Sequence, residues 1–473
     1  MRENEGKLMS TQAVVDPVPQ DALAELRHMF GDRFSTGASV LEQHSHDESW
    51  HHPQAPHAVV WPETSQEVAS IVDICSRHAM PVIPFGTGTS LEGQVVATSG
   101  GISIDMMRMN RILRVSSEDL DATVEAGVTR KQLNEHLRDQ GLFFPVDPGA
   151  DASIGGMAAT RASGTNAVRY GTMREVVLAL KVVTPDGRIV ETARRSRKSA
   201  AGYDLTRLFV GSEGTLGVIT EVTVRLFGIP EAVSAATVSF PDIASAVDAV
   251  IVTIQSGLSM ARIELLDELQ IEAINAFSGL DNPVAPTLFL EFHGTADGVG
   301  EQAQRMGEIC QGFGGSDFVW VTRQEDRNRL WQARHDAAWA AKALRPGCAM
   351  WPTDVCVPIS RLAECIVATK EDLETTHIPA PIAGHVGDGN FHLVFLIDPD
   401  DPAELAEAER LNTRLVRRAL AMDGTCTGEH GVGLGKMAFL EEEHGAAAVD
   451  LMRQMKLALD PGNIMNPGKI FAM

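Results

Sequence analysis

The sequence predicts an α+β protein of two main parts, and three observations predict it. The chain has 473 residues, more than one hydrophobic core usually organises. Apolar residues recur at helical spacing in some stretches and at alternate positions in others, so both element types are expected. At Gly228-Ile229-Pro230 the character changes, from strands joined by glycine-rich turns to regular alternation of strands and helices. The expected division is a lead-in over 1–52, a first domain over 53–230 and a second over 231–473.

Residues 1–45 carry no strong period. The histidine-rich HSHDESWHH (44–52) reads as a solvated lead-in, with metal binding as the alternative. Thr64 and Glu67 fit a capping box. Val68, Ile71, Val72 and Cys75 then follow at helical spacing, so a helix should end near His78. A short buried strand is expected at 80–84, and a second helix from Thr129 to Gly141. Segments 176–183 and 189–192 flank Pro185-Asp186-Gly187 and read as a hairpin, and 218–227 as a strand. Beyond the boundary, strands at 234–240, 261–266 and 287–293 alternate with helices at 242–255, 267–277 and 297–311. A long helix over 324–343 and strands at 353–357 and on both sides of 387–390 complete the second domain, an α+β unit with an antiparallel sheet.

Net charge is −23, which repels nucleic acid and anionic lipid. No apolar run reaches the roughly 18 residues of a transmembrane helix, and MRENEGKLMSTQ has no apolar h-region. The six cysteines are scattered without a CxxC pair, as in a reduced, intracellular protein. A cytoplasmic location is expected, with peripheral contact at the inner membrane left open.

Three glycine-rich segments sit beside strands. In Pro84-Phe85-Gly86-Thr87-Gly88-Thr89-Ser90 the glycines free backbone amides to face an anion, although a plain tight turn reads equally well. It matches neither GxGxxG nor a Walker A sequence. In Gly149–Thr172, 16 of 24 residues are Gly, Ala, Ser or Thr. A flexible linker has such a composition, but the interspersed Ile154, Met157, Val168 and Tyr170 fit a packed segment against a large flat ligand better. The third is Gly211–Gly217. Together they suggest one extended, phosphate-containing ligand.

HVGDGNFH (385–392) places histidines seven positions apart. A two-residue turn at Asp388-Gly389 would set His385 opposite His392 on one face of a hairpin, near enough to share a divalent ion. The alternative is two half-buried strand histidines without an ion. Gly428-Glu429-His430-Gly431 adds a carboxylate and a third imidazole in a loop able to approach closely.

Seven segments, in order, resemble the FAD-dependent D-2-hydroxyacid dehydrogenases of the vanillyl-alcohol-oxidase type: PFGTGTSLEG, DPGADASIGGMAATRASGTNAVRYGT, GSEGTLGVIT, TDVCVPISRL, HVGDGNFH, GTCTGEHGVG and NPGK. Within that family the chain is most similar to the D-lactate dehydrogenase branch that uses a cytochrome or quinone. The resemblance implies a two-subdomain FAD-binding domain followed by an α+β cap domain. It implies FAD phosphates on Gly86, Thr87, Gly88, Thr89 and Ser90, next to Pro84. Pro148, Gly149, Ser153, Gly156, Ser163 and Gly164 would line the rest of the cofactor, with Glu213 and Ile219 nearby. Asn466 would reach back from the C-terminal tail. Some relatives attach flavin through a histidine in the first loop; this loop has no His or Cys, so dissociable FAD is expected.

The resemblance also implies His385, His392 and Glu429 as ligands of a divalent metal, zinc or manganese. Asn390 would stand beside them or on substrate, and Arg334 would hold the substrate carboxylate. The expected reaction oxidises a D-2-hydroxy acid, D-lactate before glycolate or D-2-hydroxyglutarate, to the 2-keto acid. His430 would act as base, and an electron carrier such as cytochrome c or a quinone as acceptor. Met350-Trp351-Pro352 stands where the hydroxyglutarate branch has a lysine, which disfavours a dicarboxylate. A metal-dependent hydrolase is the rival from another class, but it leaves the glycine-rich first half without a purpose. A homodimer is left open.

Overall fold

The computed structural model describes residues 19–473; the start of the expected lead-in, including MRENEGKLMSTQ, lies outside the described residues. The first half holds two larger sheets and a two-stranded one, Leu142–Phe143 with Phe227–Gly228. Ala58–Val60, Ile102–Asp105 and Val82–Phe85 pair in parallel, with Phe34–Ser35 antiparallel at one edge. These parallel strands are almost wholly buried, as strands covered on both faces must be. The second sheet is antiparallel, in the order Ile112–Ser116, Asp121–Glu125, Val218–Arg225, Val177–Val183, Ile189–Glu191, and contains the expected hairpin.

Thr64 caps the helix Ser65–Arg77 by accepting from the Glu67 amide. The Glu67 carboxylate turns instead to Arg33 and the Glu63 amide, so only half of the expected box forms. The helix Arg130–Leu137 carries a complete box, between Thr129 and Gln132, and the chain leaves it through a left-handed Gly141.

The lead-in is corrected by the structure. The helix Gln20–Phe30 buries Ala22, Leu26 and Phe30 in the core that holds Val68, Ile71 and Ile102. The histidine-rich stretch is not solvated at its start. His44 is buried, its ring on Asp105 (3.1 Å) and the Val40 carbonyl (2.8 Å), and buried Asp47 accepts from Ser90 Oγ (2.8 Å). These partners lie up to 61 residues away, so no local period announces them.

The second half is built on an eight-stranded sheet. Its central strands are Ala232–Ser239, Thr287–Gly294, Met260–Leu266, Ile382–His385 and Asn390–Ile397, with neighbours antiparallel. Helices Ile243–Gln255, Ala296–Gly312, Ile359–Leu373 and Pro402–Ala421 contribute to its core. The expected long helix is two, Gln324–His335 and Ala337–Ala343, which meet at Asp336, and Gln270 Nε2 donates to the Ala337 carbonyl at 3.0 Å. Near its end the chain returns to the first half: Val82 N–H donates to Ile464 O and Asn466 N–H to Val82 O, both at 2.8 Å.

Candidate functional site

Antiparallel pairing of Ile382–His385 with Asn390–Ile397 puts both histidines of HVGDGNFH on one face. The expected register is corrected: His385 lies opposite Asn390, and Ala383 opposite His392. The connection is the loop 386–389 rather than a two-residue turn, closed by Asp388 N–H donating to His385 O at 3.0 Å. This shift is even, so no side chain changes face. The imidazoles remain diagonal neighbours, with centroids 5.4 Å apart and planes near perpendicular.

Gly389 explains the longer loop. Its φ is +82°, and a Cβ there would stand 2.1 Å from Val357 O. Gly389→Ala should therefore destabilise the fold by about 1–3 kcal/mol, the range for a strained backbone position. A thermal midpoint equal to that of the parent would refute this reading of the loop.

His385 Nε2 and His392 Nε2 converge on Glu429 Oε1, at 3.1 and 3.2 Å. One ligand atom from each of the three residues lies within 4.8 Å of the others. Both Nδ1 atoms are engaged on the far side, His385 with Glu264 Oε1 (2.7 Å) and His392 with Thr353 O (3.0 Å). When those Nδ1–H groups donate, both Nε2 lone pairs point at one spot, the arrangement of metal-ligating histidines held by outer partners. Burial opposes charge here, yet Glu264 and Glu429 hold the His385 imidazole well above its ordinary range. Glu429 lies well below the ordinary carboxylate range against the same burial, because of His385 and His392. The cluster thus attracts positive charge, and its donor set fits a divalent ion.

Asp354, fully buried on the segment between two short strands, fixes the loop that carries Glu429. Its Oδ2 accepts from Glu429 N–H (2.8 Å), His430 N–H (2.9 Å) and the Thr427 hydroxyl (2.7 Å). Asn390 Nδ2 donates to Asp354 Oδ1 (2.7 Å) and to Val355 O (2.8 Å). A Cβ on Gly428 would stand 2.3 Å from Asn390 Nδ2, so this loop needs its glycine. His430 stacks on His392 at 4.9 Å, and its Nδ1 is buried without a hydrogen-bond partner among the described residues. Burial pushes His430 down to about 4, leaving a neutral ring at neutral pH.

Arg334 reaches the same place from the helix Gln324–His335. Its Nη2 and Nε donate to Glu264 Oε2 at 2.6 and 3.1 Å. Glu264 therefore joins Arg334 to His385. Neither Glu264 nor Asp354 was expected from the sequence. For Glu264 the signal was there: an acid between Ile263 and Leu265 on an expected strand. Trp351 stacks on Trp50 at 4.0 Å and is buried in the second core.

The cofactor candidates divide. Pro84, Gly86, Ser153, Gly156 and Ile219 line one cleft beside Gly214. Close approach is built into it: a Cβ on Gly86 would stand 2.5 Å from Ser153 Oγ, and one on Gly214 2.9 Å from Pro84. Ser153 caps the short helix Ile154–Thr160, hidden within the second glycine-rich segment. Thr87 and Thr89 bond each other through their hydroxyls at 3.0 Å beside the left-handed Gly88, while the Ser90 hydroxyl is taken up by Asp47. Pro148 and Ser163 are half-buried outside the cleft, Gly164 packs on Asp147, and Gly149 is exposed. Glu213, raised to about 7 by burial, accepts from the amides of Val432 and Gly433. Asn466 Nδ2 donates to the carbonyls of Gln94 and Glu213. These two residues tie the cleft to the loop that carries His430. A cleft walled by glycines and tied in this way fits an extended, phosphate-bearing cofactor.

Known proteins resemble the chain along nearly its whole length. A family model described as "FAD binding domain" matches residues 56–193, and one described as "FAD linked oxidases, C-terminal domain" matches 229–470. The chain is 55% identical to the "Probable D-lactate dehydrogenase, mitochondrial" of Danio rerio, over 95% of this chain and 92% of that one. It is 47% identical to the "D-lactate dehydrogenase (cytochrome), mitochondrial" of Arabidopsis thaliana, over 98% and 82%. The solved structure of p-cresol methylhydroxylase with substrate bound superposes with a TM-score of 0.82 at 18% identity, covering 96% of this chain and 97% of that one. The expected cytoplasmic location is overturned: both of those relatives are named mitochondrial, as are two yeast relatives at 42% and 39% identity. Among the described residues no helix is long and apolar enough to cross a membrane.

Proposed function

The chain belongs to the FAD-linked oxidases, as an FAD-dependent D-lactate dehydrogenase with the vanillyl-alcohol-oxidase type of fold, and on that premise we propose how its residues carry out the oxidation of D-lactate to pyruvate. FAD, when bound, supplies the acceptor for the hydride from the substrate C2. We place its phosphates against Gly86–Ser90 and Gly156, held without a covalent bond. A divalent ion on His385, His392 and Glu429, zinc or manganese, supplies Lewis acidity toward the 2-hydroxyl.

The convergence of both Nε2 atoms on Glu429, with both Nδ1 atoms already engaged, carries this reading. Arg334 binds the substrate carboxylate, its Nη1 still without a hydrogen bond among the described residues while Glu264 orients the fork. His430 accepts the hydroxyl proton on a ring nitrogen that no protein donor occupies, and the stack on His392 sets its plane. Asn390 and Asp354 hold the Glu429–His430 loop at the right depth. Met350-Trp351-Pro352 carries no lysine for a distal carboxylate, which favours lactate over hydroxyglutarate. A cytochrome is the acceptor in this reading, after the relatives' names.

Exhaustive chelation of the FAD-loaded enzyme should leave the flavin bound and lower turnover roughly a hundredfold or more, since a Lewis acid contributes several kcal/mol to such a transition state. Zinc or manganese should restore activity, and the better of the two identifies the ion. Full turnover in protein shown to be metal-free sinks the metal-assisted mechanism.

A further inference from the structure

A cavity of about 280 Å³ lies between the two halves, lined by Arg130 and Asp147 on one side and Arg262, Glu291 and His293 on the other. It lies beyond the metal cluster on the same face of the large sheet. Arg262 and Glu264 are alternate residues of the strand Met260–Leu266, so they share a face roughly 7 Å apart.

The acids in this cavity are already satisfied. Asp147 accepts from the Thr165 hydroxyl (2.6 Å), Asn166 N–H (3.0 Å) and Arg262 Nη2 (3.2 Å). Glu291 takes His293 Nε2 at 2.8 Å and lies 3.5 Å from Arg262 Nη1. Arg130 differs. Its side chain forms no hydrogen bond or ion pair among the described residues, and its Nε is buried without a partner. A buried N–H donor without an acceptor is costly. A carboxylate in the cavity would supply the acceptor that this N–H lacks.

We propose that this cavity is a second carboxylate site, separate from the Arg334 site, which takes a small monocarboxylate with a short apolar or aromatic tail on Arg130. The volume sits just below the usual range of small-molecule pockets, roughly 300–1,000 Å³. Asp147 and Glu291 in the wall repel a doubly charged phosphate, whereas one carboxylate fits the planar fork of Arg130. Phe143, Phe144 and Pro230 supply the apolar surface for the tail. Because both halves line the cavity, its occupant ties them together and raises thermal stability.

The probe is benzoate, titrated by calorimetry and by thermal midpoint into FAD-loaded enzyme. An R334Q background empties the other carboxylate site. R334Q holoenzyme should bind benzoate and melt higher with it, and adding R130Q should weaken binding at least tenfold. R130Q alone should keep its FAD and its turnover of D-lactate, since Arg130 makes no bond to lose. The proposal is overturned if R334Q holoenzyme does not bind benzoate, or if R334Q/R130Q binds it as tightly as R334Q. Loss of FAD from R130Q also overturns it, by assigning the cavity to the flavin. None of these readouts depends on the roles proposed for the metal or His430.

Discussion

His430→Ala is expected to lower kcat on D-lactate by roughly 10²- to 10⁴-fold, the contribution of a well-placed proton acceptor. KM should change little, because the carboxylate role is proposed for Arg334 and not for His430. The expectation follows from placement: the ring is buried, stacked on His392, and keeps a nitrogen unpartnered. Anaerobic stopped-flow reduction of the flavin is the measurement, with FAD content and melting temperature checked alongside. If the variant bleaches as fast as the parent, another group takes the proton.

The second large effect belongs to a residue that touches neither substrate nor ion. Glu264 is buried and divides its two oxygens between His385 and Arg334. Glu264→Ala leaves both partners without their acceptor. Removing one member of a buried ion pair costs about 3–5 kcal/mol of stability, and losing the partner behind a metal ligand costs roughly 10- to 100-fold in metal affinity or activity. Glu264→Gln keeps the volume and isolates the charge, so its metal content and KM for D-lactate are the cleaner readings. We expect metal retention to fall and KM to rise together, since one carboxylate serves both sites. Parent-like values for both quantities remove Glu264 from the mechanism.

What the sequence disclosed depended on the range of the interaction. The helix capped by Thr64, the hairpin around Asp186 and the alternation beyond residue 230 are local patterns, and they are present with small shifts. HVGDGNFH was legible as a clamp because side-chain parity survives an even change of register. The turn itself was misread, since only the Val357 carbonyl, more than thirty residues back, requires the longer loop. Glu264 and Asp354 escaped for a related reason. Each looks like part of a plain strand region until the third dimension supplies its partners. The buried His44 and Asp47 illustrate the same limit in a segment with no period at all.

The return of the chain to Val82 sets an order of assembly. The backbone that pairs with this edge strand, around Met465, is synthesised after nearly all of the second half. An emerging polypeptide therefore exposes one side of Val82–Phe85 until translation is nearly over. Nascent chains stalled ahead of residue 464 should hold flavin poorly, and coenzyme loading becomes a late event in the birth of the protein.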